Sequence, residues 1–179
     1  FYPEAAVRFV CQQKGIRVIL ITVPHSEERL LAQGDSYNAA HDYIAGIAAD
    51  YDVPYWDFNL ADAAYLSGDD SCFKDAQHMN QTGAERFTKL LCRVLLDYEN
   101  ELDVGGYFCS SAGQRIAEVD AVRAVTLRAG AVREDGSVEI QAAALAGPKV
   151  ETEYRFELMR GKEVIDATEY GPGQTYGCP

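Results

Sequence analysis

The chain has 179 residues, 47% of them hydrophobic, and a formal net charge of -12. That is enough apolar material for one large core or two small ones. Acidic residues outnumber basic ones in both halves, and no stretch of sequence clusters Lys and Arg. Nucleic acid and anionic membrane surfaces are therefore not expected as main partners, since both are bound through concentrated positive charge. No run approaches the roughly 18 consecutive apolar residues of a membrane span, and the N-terminus has no signal-peptide pattern. The five cysteines (Cys11, Cys72, Cys92, Cys109, Cys178) are odd in number and without paired spacing. They predict neither a disulfide framework nor a Cys-rich metal site, and Cys11 and Cys92 fall on predicted helices as small core residues.

Pro3 suits the first turn of a helix, with Tyr2, Ala5, Ala6, Phe9 and Val10 along one face and Gly15 at its end. The chain opens inside that pattern without an initiator Met, so it is expected to be a fragment of a longer protein. Val18-Ile19-Leu20-Ile21-Thr22-Val23 is apolar without alternation, as for a parallel strand covered on both faces. Pro24 stops it, leaving His25 and Ser26 at its carboxyl end. Residues 27–33 form a polar helical turn, which Gly34 terminates, and Asp35 or Ser36 caps the helix that follows. In that helix, residues 38–51, the apolar positions Ala40, Tyr43, Ile44, Ile47, Ala48 and Tyr51 define one face, and His41 lies off it in solvent.

Val53 to Phe58 forms the next strand, with Pro54 near its start. Residues 59–80 make a long polar connection, a length that points to function. A helix over 82–98, capped by Asn80 or Thr82, carries Ala84, Phe87, Leu90, Leu91, Val94, Leu95 and Tyr98 toward the core. Helix and strand alternate, which predicts α/β architecture with parallel strands. Beyond Asn100 the period drops to two, with strands at 138–142 and 154–158 and turns at Asp135-Gly136 and Arg160-Gly161-Lys162. The expected organisation is a domain over 1–100, a linker over 101–118, and a small, incomplete antiparallel β module over 119–179. Trp56 and the eleven tyrosines could line a sugar-binding surface, but aromatic residues at strand positions are more often core.

The chemistry concentrates in Phe73-Lys74-Asp75-Ala76-Gln77-His78-Met79-Asn80. A histidine serves as a base near neutral pH when one ring nitrogen is held by an acceptor and the other faces the reacting group. Asp75, three residues earlier, can be that acceptor. The pattern Phe73-x-Asp75-x-x-His78-Met79-Asn80-x-x-Gly83-Ala84, with Ile21 to Ser26 and Tyr51 to Phe58 before it, resembles the last block and late strands of the SGNH/GDSL hydrolases. The likeness is to bacterial cell-envelope members in particular, and it covers residues 1 to about 98. It implies the C-terminal half of a flavodoxin-like three-layer domain, with His78 as catalytic base and Asp75 as its orienting partner. It also implies a serine nucleophile and oxyanion-hole Gly and Asn upstream of Phe1, and a parent protein that hydrolyses or transfers O-acyl groups on acylated carbohydrate or cell-envelope polymer.

Gly34-Asp35-Ser36 imitates the family's nucleophile sequence, but it follows a polar helical turn where a buried strand is required, so it is expected to be a pair of helix caps. His25 is a substrate-binding candidate from its place at a strand's carboxyl end alone. No cofactor is implied. Cys72, Asp75 and His78 share a three-residue spacing but lack a fourth ligand, so no metal site is expected. The competing class is a non-catalytic cell-surface binding or adhesion protein.

Overall fold

The computed structural model describes residue 11 and residues 13–178. The helix expected from Pro3 therefore lies almost entirely outside the described residues. The chain divides between Glu118 and Val119 into two compact units.

The first unit is mixed α/β. Its described elements are β1 (Leu20–Thr22), α1 (Glu27–Gln33), α2 (Ser36–Asp50), β2 (Tyr55–Asp57), a 3-10 turn (Phe58–Leu60), α3 (Gln81–Glu99), a second 3-10 turn (Gly105–Tyr107) and α4 (Ala112–Ile116). β1 and β2 pair in parallel, Leu20 against Tyr55 and Thr22 against Asp57, so both strands end at the same edge. The apolar run 18–23 is covered less than expected: Ile21 and Val23 are exposed, and β2 is the one strand paired with β1 among the described residues.

α3 forms because apolar side chains recur three and four residues apart and Asn80 caps it, its side-chain oxygen accepting the Gly83 amide at 2.9 Å. That stripe packs Phe87, Leu90, Leu91, Val94 and Leu95 against Trp56, Phe58, Leu66 and Tyr107. Cys92 points away from it and is exposed, contrary to the core role expected of it; it sits two positions from both Leu90 and Val94, off their shared face. Cys72, Cys92 and Cys109 form no disulfide.

Two further expectations need correcting. On α2 the inward face runs through Tyr37, His41 and Ala48, while Tyr43 is 71% exposed. The helix is rotated from the purely apolar solution because Tyr37 and His41 bond to Asp57 on β2. Residues 101–118, expected as a linker, belong to the first unit. They lie along the start of the 59–80 connection: Cys109 N donates to Leu60 O at 2.7 Å, Asp62 N donates to Tyr107 O at 3.0 Å, and Ala61 bridges Phe108. The stretch also delivers Arg115, whose Nη2 lies 2.8 Å from Glu27 Oε1 in an ion pair with both partners buried. The 59–80 connection is in turn anchored by buried Leu60, Ala61, Leu66, Cys72 and Phe73.

Gly83 is required where α3 meets that connection. A Cβ there would sit 2.0 Å from Cys72 O, a backbone atom held in place by the amide of Asn80. Gly83→Ala is expected to cost about 2–3 kcal/mol, read from urea unfolding, because backbone and not a side-chain tip must shift.

The second unit holds β3 (Val122–Val132), β4 (Val138–Ala146), β5 (Glu157–Arg160), β6 (Glu163–Ala167) and β7 (Thr175–Cys178). β3, β4 and β7 form one antiparallel sheet, and β5 and β6 a separate hairpin. Gly136 and Gly161 supply the positive φ in the turns after β3 and β5. The strand expected at 154–158 is displaced to 157–160. Tyr154 makes only a single bridge, to Gly171, because the tight turn at Gly161 sets the register of the hairpin.

Candidate functional site

The loop 72–80 is closed on itself before it meets anything else. Phe73 bridges Met79, Lys74 N donates to His78 O at 3.0 Å, and Asn80 N donates to Cys72 O at 2.9 Å. Its outer turn is fastened to the carboxyl end of β1, where Ser26 N and Oγ both donate to Ala76 O, at 3.4 and 3.3 Å. Ser26 Oγ also caps α1 by accepting the Arg29 amide. One serine thus joins strand end, helix start and loop.

Within the turn, Asp75 Oδ1 accepts the amides of Gln77 and His78, each at 2.9 Å. The same carboxylate lies 2.8 Å (Oδ1) and 3.0 Å (Oδ2) from His78 Nδ1. The Gln77 amide first, then the His78 side chain, hold the Asp75 carboxyl below its usual value, so Asp75 is ionised at neutral pH. An ionised acceptor requires the proton on Nδ1, which leaves Nε2 as the free basic nitrogen. The pair is open to solvent, His78 65% and Asp75 50% exposed at the side chain. Among the described residues no serine, threonine or cysteine side chain hydrogen-bonds to His78.

Ser36 is not brought to this pair: it is the first residue of α2, and its Oγ donates to Gln33 O at 2.6 Å. Gly34 closes α1 and Asp35 stands at the α2 N-cap without a side-chain capping bond.

His25 sits at the strand end. Its amide donates to Asn59 Oδ1 at 2.7 Å, while its buried Nδ1 makes no hydrogen bond. Arg115 Nη1 is likewise without a hydrogen bond, and both residues line one small cavity with Ser26, Phe58 and Phe73. Burial, and then the charge of Arg29, lower the pKa of the His25 imidazole; Asp57 opposes them. A lowered histidine pKa means that folding is favoured fully above the unfolded value of about 6.5 and less as pH falls through it. Urea midpoints measured from pH 8 to pH 5 are therefore expected to decline, and His25→Gln to flatten that decline. Equal slopes would remove this assignment.

A second Asp–His pair lies under α2. Asp57, at the end of β2, accepts the Tyr37 hydroxyl at 2.7 and 2.9 Å and the Asn59 amide at 3.0 Å, and lies 2.9 Å from His41 Nδ1. The Tyr55 hydroxyl reaches it at 3.3 Å and pairs with Thr22 Oγ1 at 2.7 Å. Here the acid is buried (2%) and the histidine is 25% exposed at the side chain, so His41 is not the solvated residue expected from sequence. Burial first, then Asp57, raise the Tyr37 hydroxyl, and burial takes Tyr55 to about 12. The available signal was the four-residue spacing of Tyr37 and His41, which puts both on one helical face.

Asp62, Cys109 and Glu118 bring three potential ligand atoms within 4.8 Å of one another. The cluster is satisfied without an ion: Cys109 Sγ donates to Glu118 Oε1 at 3.2 Å, and Arg115 Nη1 lies 3.6 Å from Glu118 Oε2. Burial, then Glu118, push the thiol up to about 12, the wrong direction for a ligand that must deprotonate. Cys72 contacts Ser71 and Arg86, not the Asp75/His78 pair. No helix among the described residues is long and apolar enough to cross a membrane.

No protein-family model, curated protein or solved structure matches this chain.

Proposed function

We propose that the first unit is the C-terminal half of a flavodoxin-like SGNH/GDSL-type domain, and that the full-length protein is an ester hydrolase or O-acyltransferase. The observation that carries this reading is the 2.8 Å contact of Asp75 with His78 Nδ1, in a loop tied to the carboxyl end of a parallel strand. That edge is where open α/β sheets bind their ligands.

In this mechanism His78 Nε2 takes the proton of a serine hydroxyl as the serine oxygen attacks the ester carbonyl. Asp75 holds the ring in the required tautomer and stabilises the imidazolium. The imidazolium returns the proton to the departing alkoxide, leaving an acyl-serine that water, or an acceptor hydroxyl in a transferase, resolves with His78 again as base. The serine comes from outside the described residues. An acylated carbohydrate or cell-envelope polymer is the substrate class, and the cell envelope the compartment, both on the resemblance of the motif. His25, at the same strand end, contacts substrate.

A fluorophosphonate probe tests the reading directly. It is expected to label the full-length protein at a serine upstream of Phe1 and to leave the 179-residue chain unlabelled. Turnover of an aryl acetate by this chain that vanished with Ser36→Ala would make Ser36 the nucleophile and overturn it.

The second reading is a non-catalytic binding or adhesion protein. It is favoured by the exposure of the His78/Asp75 pair and the absence of a bonded nucleophile among the described residues. Absence of a Gly-Asp-Ser after an upstream strand would decide for it.

A further inference from the structure

Although the sequence contains no basic run, α3 gathers one: Arg86, Lys89 and Arg93 recur at spacings of three and four and all are exposed. With Tyr65 and Leu90 they line an open groove of about 250 Å³ on the first unit. None of the three cations is within ion-pair reach of a carboxylate among the described residues.

Neutral groups position them instead. The Arg93 guanidinium lies 5.8 Å from the ring centre of Tyr65 and 5.4 Å from that of Tyr107. Those two rings meet edge-on at 5.0 Å. Such cation–π seating fixes the fork, and the side of it that faces the Tyr107 hydroxyl is engaged while its other N–H groups remain available. Arg86 Nη1 donates to the sulfur of fully buried Cys72 at 3.5 Å, which anchors one end of that guanidinium. The nearby acid on the same helix, Asp97, is taken by the Tyr107 hydroxyl. The result is two held guanidiniums, Arg93 on the tyrosine rings and Arg86 on Cys72, with exposed Lys89 between them on the same helical face.

We propose that this groove binds a short anionic saccharide, its carboxylate or phosphate on Arg86, Lys89 and Arg93 and its ring against Tyr65. The lining cations can only donate, so the ligand must be rich in acceptors, as a sugar acid or sugar phosphate is. A long polyanion is disfavoured, because the three cations span only about 10 Å of helix and the rest of the chain carries strong negative charge. A stacked nucleobase is disfavoured because it needs a whole open ring face, which Arg93 and Tyr107 restrict on Tyr65, whereas a sugar needs only a C–H contact with the exposed part of the ring. The proposal does not rest on the hydrolase reading.

The test is calorimetric titration of the 179-residue chain with trigalacturonate, its methyl ester, glucose 6-phosphate and AMP, at low and at moderate salt. Trigalacturonate or glucose 6-phosphate is expected to bind, at least tenfold more tightly than the uncharged ester and more weakly as salt rises. Arg86→Gln and Lys89→Gln, at exposed positions that leave the fold intact, should each weaken binding about tenfold. Arg93→Lys should bind less well than the parent but better than Arg93→Gln. Equal affinity for the ester, indifference to all three substitutions, or tighter binding of AMP through the same residues would overturn the proposal.

Discussion

On the proposed hydrolase reading, His78→Ala is expected to abolish ester hydrolysis by the full-length protein, with kcat on an aryl acetate falling by at least about 10⁴-fold and KM little changed. The size follows from the role: removing the base of a serine hydrolase forfeits both activation of the nucleophile and protonation of the leaving group. Asp75→Asn should cost about 10² to 10⁴-fold, because the ring keeps its place but loses the acceptor that selects its tautomer. The fold should be unaffected, since both side chains are half-exposed or more and the turn keeps its backbone bonds to Ser26 and Lys74. Retained activity in His78→Ala, with circular dichroism unchanged, would remove the central claim. A loss of activity accompanied by unfolding would not count for it.

Asp57→Ala is expected to destabilise the first unit by about 3–5 kcal/mol, measured as the change in urea unfolding free energy at constant pH. The carboxylate is buried and accepts the Tyr37 hydroxyl and the Asn59 amide, with His41 at 2.9 Å. Removing it strands donors that water cannot reach, and each stranded donor costs about 1–3 kcal/mol. His41→Gln should cost only about 1 kcal/mol, because a part-exposed side chain can recover solvent. If Asp57→Ala and His41→Gln cost the same, the buried hydroxyl is not what matters. The two Asp–His pairs would thus separate experimentally, one governing turnover and the other stability.

What could be read from sequence tracks how local each feature is. α3 was legible because its apolar stripe and its Asn80 cap lie within one segment, and the turns at Gly136 and Gly161 because a positive φ selects glycine. The pairing of Asp75 with His78 was legible for the same reason. The Asp57 network was not: it joins two residues of a helix to the end of a strand, and only the tertiary fold shows that Tyr37 and His41 turn inward while Tyr43 turns out. The stretch 101–118 has no sustained period and so looks like a linker in sequence. Its cohesion comes from backbone bonds to residues 60–62 and from Arg115 on Glu27, 88 positions away. The basic groove is not visible in the sequence, because a cation every three or four positions is not a charge cluster until the helix winds it into one.

The closure of the 72–80 loop on itself bears on the order in which the site assembles. Asp75 and His78 are three positions apart, so bringing them together costs little chain entropy, whereas the pairing of His41 with Asp57 spans 16 residues and needs the sheet in place. The low contact order of the first pair lets its geometry form early and persist through partial unfolding. Its attachment to the strand depends on Ser26, 50 positions from Ala76, and is a late event. Heating is therefore expected to release the Asp75/His78 turn from Ser26 before it separates His78 from Asp75.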